Sequence, residues 1–224
     1  MFRVGRSVVT ASIRRTRVAM APDVEVERLD LADLLDTLDD REWRAQSLCA
    51  GWTVRDVVAH LTLADREFAA TALRLIRARG DFDRVTADMA RERALRYGPA
   101  ELVAQLRETA GQPRRFPMSS PLDPLTDILV HGQDIARPLG RERPMQIERV
   151  LPVLRHVWTS FFLGTQKRFA GLRFIASDAD WSAGDGPREV RGPAGDLLLL
   201  ATGRKAGLGG LTGDGRIEVA ARLK

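Results

Sequence analysis

This chain is poor in several residue types, and each scarcity narrows what it can be. One cysteine, Cys49, stands among 224 residues. No internal disulfide can form, so a disulfide-stapled scaffold is excluded, and a reducing, cytoplasmic setting is expected. No run approaches the roughly 18 consecutive apolar residues that a bilayer-crossing helix needs, so no membrane partner is expected. Lysine occurs only at Lys167, Lys205 and Lys224, and histidine only at His60, His131 and His156. There is no internal repeat and no coiled-coil heptad pattern.

Acidic residues are missing from residues 1–19, which carry Arg3, Arg6, Arg14, Arg15 and Arg17. The rest of the chain holds 30 basic and 30 acidic residues, so the net charge of +5 belongs entirely to this extension. A charge-neutral body is a poor match for nucleic acid, which is bound through a basic face. Residues 1–20 read as a basic, disordered extension. The extension superficially resembles a transit peptide, but a start upstream of the true one, with Met20 as an alternative start, is the preferred reading.

What is present is mostly helical in pattern. Residues 24–42 carry Val26, Leu29, Leu31, Leu34, Leu35 and Leu38 at helical spacing. A loop through Cys49 and Trp52 leads to Thr53, an N-cap with Asp56 three residues on, and a helix from Val54 to about Arg79. A polar, surface-facing helix is expected over 84–96, and another from Pro99 to about Ala110. Pro113, Pro117, Pro121 and Pro124 mark a loop, followed by helices over about 125–138 and 146–168. Beyond Gly171 the texture changes. Strands are expected at 172–176, 188–191 and 216–220, with a compact helix over 193–202. The fold class expected is therefore mainly α, an antiparallel four-helix bundle over 21–170 followed by a small α+β domain over 171–224. That second part is too short for a robust core of its own.

Two motifs carry the chemistry. His60 lies in Gly51-Trp52-Thr53-Val54-Arg55-Asp56-Val57-Val58-Ala59-His60-Leu61, and His131 lies in Asp127-Ile128-Leu129-Val130-His131-Gly132-Gln133-Asp134. Positions i and i+4 of a helix share a face, so Asp127 and His131 can point at one atom. With His60 from another helix they make two imidazoles and a carboxylate, a donor set suited to zinc or another divalent metal with a coordination position left open. Asp134 can orient His131 through a hydrogen bond, and Asp56 can do the same for His60, although capping already accounts for it. Plainer readings stand beside these. A lone histidine on an apolar helix is usually a core residue. Asp127 with His131 can be a surface pair worth a few tenths of a kcal/mol, and Asp134 can simply meet Arg137. Trp52 reads as a packing anchor, Cys49 as inert packing, and His156 as structural or exposed.

The two motifs together resemble the mycothiol-dependent maleylpyruvate isomerase family, whose bundle is similar to DinB-like metalloenzymes. The resemblance spans roughly residues 24–204. It implies zinc held by His60, Asp127 and His131, with aspartate where that family has glutamate, so the carboxylate is one methylene shorter. It also implies mycothiol as cosubstrate, its thiolate adding to a cis double bond, allowing rotation and being eliminated. In that family a larger carboxy-terminal domain, similar to sterol carrier protein folds, helps to close the site. Here that region is short. Arg204 occupies a family-like segment but is not assigned as catalytic, and no catalytic or cofactor-binding residue is assigned.

The expected function is activation of a low-molecular-weight thiol by a divalent metal, for isomerisation of, or transfer to, a small electrophile. The expected partners are that thiol and that electrophile, with a homodimer as one candidate assembly. Two other readings stay open. One is a non-catalytic metal- or thiol-binding sensor module. The other is a structural protein that kept the bundle.

Overall fold

A computed structural model describes residues 22–63, 81–112 and 120–223. The basic extension, the far part of the long helix expected after Val54, and Pro113 and Pro117 lie outside the described residues. The chain divides into two compact units that meet at Leu139 and Gly140. The boundary expected at 170/171 therefore falls inside the second unit.

In the first unit, α1 covers residues 22–36 and buries Val24, Leu31, Ala32 and Leu35 together with Glu27 and Arg28. Val26 and Leu29, expected on the core face, are partly exposed. The helix does not run on to residue 42. Asp39 starts a separate short helix, α2 (Asp40–Arg44), through a capping box with Glu42, and a new N-cap ends the preceding helix's continuity. Thr53 and Asp56 form the capping box of α3 (Val54–Leu61), as the motif implied. Helix α4 (Phe82–Arg96) is not simply a surface piece. Its polar face is in solvent, but Val85, Met89, Ala90 and Ala94 are buried, and it packs on α3. Pro99 opens α5 (Pro99–Glu108), where its missing N–H costs nothing. Helix α6 (Asp123–Ala136) continues into a 3-10 turn, Arg137–Leu139. Helix α3 lies against α2, α4, α5 and α6, so it is the hub of the unit. Among the described residues no helix is long and apolar enough to cross a membrane.

The second unit begins with α7 (Ile147–Thr159). The helix expected to reach 168 stops at Thr159; a short α8 (Thr165–Arg168) follows Gly164, whose φ is +60°. Ser160, in extended conformation, ends α7, and Gly164 then turns the chain into α8 in the left-handed region that glycine takes without a Cβ clash. Phe161 and Phe162, which continue the apolar spacing of α7 beyond its end, are exposed. Strands β1 (Leu172–Ala176), β2 (Ser182–Ala183) and β3 (Arg188–Gly192) form a sheet in the order β2-β1-β3. The β1–β2 pair is antiparallel, with Phe174 opposite Ala183. The β1–β3 pair is parallel, with Phe174 opposite Val190. Helix α9 (Ala194–Ala201) buries Leu197, Leu198, Leu199 and Leu200 and packs on α7. That helix gives the small sheet the core it could not build alone. Trp158 meets Phe174 at 4.9 Å and Trp181 at 5.3 Å between ring centroids.

The final segment is a helix, α10 (Arg216–Arg222), where a strand was expected. The alternation of Ile217 and Val219 suggested period two, but Ile217 is exposed while Val219 is buried. Glu218 pairs with Arg222 one turn on, and Arg222 donates to the carbonyls of Arg168 and Ala170. The fold class read from the sequence, a mainly helical chain with a small α+β region at its C-terminal end, is the one observed.

Candidate metal centre

The capping box fixes where α3 starts, and His60 comes in its last turn. Asp127 and His131 share one face of α6, and α3 packs on α6. The structure brings these three side chains together. His60 Nε2 lies 3.5 Å from Asp127 Oδ2, and His131 Nε2 lies 3.5 Å from Asp127 Oδ1. The two imidazole rings meet edge to face, 5.0 Å between centroids. One ligating atom from each residue falls within a sphere in which all three lie no more than 4.8 Å apart.

Those distances bear on what the cluster can hold. A good N–H···O hydrogen bond is about 2.9 Å, so 3.5 Å is loose for one. Around a four-coordinate zinc with bonds of about 2.0–2.2 Å, neighbouring donor atoms lie about 3.4 Å apart. The separations fit donors arranged around an ion better than donors bonded to one another. Asp127 keeps 49% of its side-chain surface open to solvent, which leaves an approach from outside. Loss of hydration raises its carboxyl pKa. His60, through its charge and a hydrogen bond to the carboxylate, then the charge of His131 and a smaller pull from Arg28, outweigh that and hold it well below the usual carboxylate range. Asp127 is thus an anion, as ligation requires.

His131 is held from behind. Its Nδ1 lies 2.8 Å from Oδ2 of Asp134, a residue with no solvent exposure. A carboxylate only accepts, so a hydrogen sits on Nδ1, and Nε2, the nitrogen that faces Asp127, is the one a metal ion would take. The same Asp134 oxygen accepts from Cys49 Sγ at 3.1 Å, and Cys49 Sγ is 3.7 Å from His131 Nδ1. Cys49, His131 and Asp134 are also close enough to form a ligand cluster. However, contacts of 2.8 and 3.1 Å have the length of hydrogen bonds and are shorter than the separation of about 3.4 Å between donors of a tetrahedral zinc. Of the polar residues flagged in the sequence, Asp134 takes the orienting position described for it. Arg137 donates from Nε to Gln133 Oε1.

Asp56 does not reach His60. Its Oδ2 accepts from Thr53 N at 2.8 Å and Thr53 Oγ1 at 2.7 Å, so capping consumes the carboxylate and the expected orienting role is corrected. His60 Nδ1 is buried without a hydrogen-bond partner among the described residues. Cys49, read as inert packing, is instead bonded to the site. Its partner lies 85 residues away in sequence, so no local spacing marks it. His156 is half-buried on α7.

Comparison with known proteins follows the same lines. Residues 24–123 match the family model described as the mycothiol maleylpyruvate isomerase N-terminal domain. That stretch includes Cys49, Trp52, Thr53 and His60 and stops short of Asp127 and His131. The crystal structure of the mycothiol-dependent maleylpyruvate isomerase shares the fold, with a TM-score of 0.59 at 13% identity, over 89% of this chain and 92% of that one. No curated protein matches the sequence. The family resemblance is thus matched in sequence over residues 24–123, which hold the first of the two motifs, and the fold is shared over most of the chain; the second motif lies beyond the matched stretch.

Proposed function

We propose that this chain is a metal-dependent enzyme that activates a low-molecular-weight thiol, mycothiol, for isomerisation of, or transfer to, a small electrophile. The observation that carries the reading is the convergence of His60, Asp127 and His131, with His60 inside the stretch matched by the family model. A divalent ion held by these three residues, zinc being well suited to the donor set, would supply the Lewis acidity that favours the ionised form of a bound thiol.

The chain's own residues would do the rest. Asp134 holds the Nδ1 proton of His131 and keeps Nε2 free for ligation. Asp127 stays ionised beside two imidazoles, so the site carries a negative group to balance a cation. Its half-open side chain leaves room for thiol and electrophile to approach. In the isomerisation, sulfur bonds to one carbon of the double bond and the thiol proton passes to the other. Rotation about the resulting single bond, then loss of the same proton and the sulfur, regenerates thiol and alkene.

The test is thiol and substrate turnover with purified protein, mycothiol and a panel of electrophiles that includes maleylpyruvate. The assay is run with the metal-loaded protein and after chelation. Metal-dependent conversion of a panel member supports the proposal. Metal binding without conversion of any member would favour a non-catalytic binding module.

A further inference from the structure

The two histidines of the centre are held in different ways. His131 Nδ1 donates a hydrogen bond to Asp134, whereas among the described residues His60 Nδ1 has no hydrogen bond and the rings of Trp52 and His131 flank its imidazole. One short loop, residues 46–52, reaches both. On the His131 side, Cys49 Sγ donates to Asp134 Oδ2, and the backbone N–H of Leu48 donates to the Asp134 carbonyl at 3.0 Å. On the His60 side, the Trp52 ring meets the imidazole edge to face at 5.5 Å.

The loop is itself rigidly built. Ser47 Oγ and Gln46 Nε2 donate to the Trp52 carbonyl, at 2.8 and 2.6 Å, and Gln46 Nε2 also reaches the Cys49 carbonyl at 2.9 Å. Cys49 N donates to Ser47 Oγ, and Trp52 N to the Cys49 carbonyl. Gly51 turns the chain at φ +74°, a conformation that glycine adopts without strain. Cys49 and Trp52 are therefore fixed relative to each other, and through them so are the two rings.

We infer that loop 46–52 is a clamp that positions both histidines of the centre, Cys49 acting through Asp134 on His131 and Trp52 bearing directly on His60. The inference rests on the metal reading proposed above. Cys49 is a positioning residue in it, not a ligand. Without its thiol, the Asp134 oxygen loses a donor and His131 gains freedom to tilt away from Asp127. Residues that hold a ligand in place typically contribute 10- to 100-fold to metal affinity. Cys49 is one step further out, so the low end is expected.

The experiment measures zinc affinity by competition with a chromophoric chelator, for the native protein, Cys49→Ala, Cys49→Ser and Trp52→Leu. Leu102→Ala, in the buried face of α5, serves as a stability control. Cys49→Ala is expected to weaken zinc about tenfold. Cys49→Ser, whose hydroxyl can still donate to Asp134, should recover most of that. Trp52→Leu should weaken zinc by less than Cys49→Ala. Leu102→Ala should lower the melting temperature and leave affinity unchanged. The cobalt-substituted native protein should show no thiolate-to-metal charge-transfer band. Native affinity in Cys49→Ala, or such a band, overturns the clamp. A native protein that binds no zinc at all instead sinks the metal reading beneath it, so the two failures are distinguishable.

Discussion

Helices α6 and α9 are both buried along most of their length, yet they bury different things. Helix α9 buries one carboxylate, Asp196, in its first turn and then presents the consecutive apolar residues 197–201 to the core of the second unit. Helix α6 buries Gln133 and Asp134 beside Ile128, Leu129 and Ile135, and sets Asp127 and His131 on its more open face. An apolar helix is stabilised in proportion to the area it removes from water. A buried carboxylate is tolerated only when its hydrogen bonds are made. Asp134 meets that condition with donors from His131, and from Cys49 on a separate loop. The contrast separates a helix that packs from a helix that packs and also organises chemistry.

The sharpest way to test this contrast is to damage each helix once. Leu199→Ala in α9 should cost about 2–5 kcal/mol of stability, seen in denaturant unfolding, with zinc affinity unmoved. Asp134→Ala in α6 should cost less, about 1–3 kcal/mol, because it leaves the Cys49 thiol and His131 Nδ1 without their acceptor. It should also weaken metal binding 10- to 100-fold. Equal loss of affinity in both variants would erase the distinction.

A finer test uses Asp56. Its carboxylate serves the N-cap of α3, so Asp56→Ala should cost about 1 kcal/mol, read from thermal melting, with metal content unchanged. Loss of metal in that variant would return Asp56 to the orienting role expected from its place four residues before His60. The smallest effect should come from Phe161→Ser with Phe162→Ser. These rings are 92% and 96% exposed, so the melting midpoint should shift by no more than the equivalent of about 0.5 kcal/mol.

How far the sequence revealed these features depended on the range of the interaction. Local signals were legible. The Asp127/His131 spacing placed both on one face of α6, and the Thr53/Asp56 capping box placed the start of α3. The meeting of α3 with α6 is a tertiary fact. The donor chemistry of the three side chains suggests it as a candidate grouping, and the family resemblance of the two motifs adds to that, but no local spacing fixes it. Cys49 was illegible because its donor role depends on a partner across the fold, in a loop without periodicity. The end of α7 is not legible because Phe161 and Phe162 continue its apolar spacing, while the extended Ser160 that caps it carries no strong local cue. The alternation at 216–220 suggests a strand, whereas the pairing of Glu218 with Arg222 one turn on supports the helix observed.

The most direct test of the account is the metal content of the protein, purified without a metal-binding tag and measured by mass spectrometry beside His131→Ala. Close to one divalent ion per native chain, falling sharply in the variant, is the predicted result. No metal in the native protein, and none taken up from Zn²⁺, Ni²⁺ or Mn²⁺, would contradict it and leave His60 and His131 as core residues.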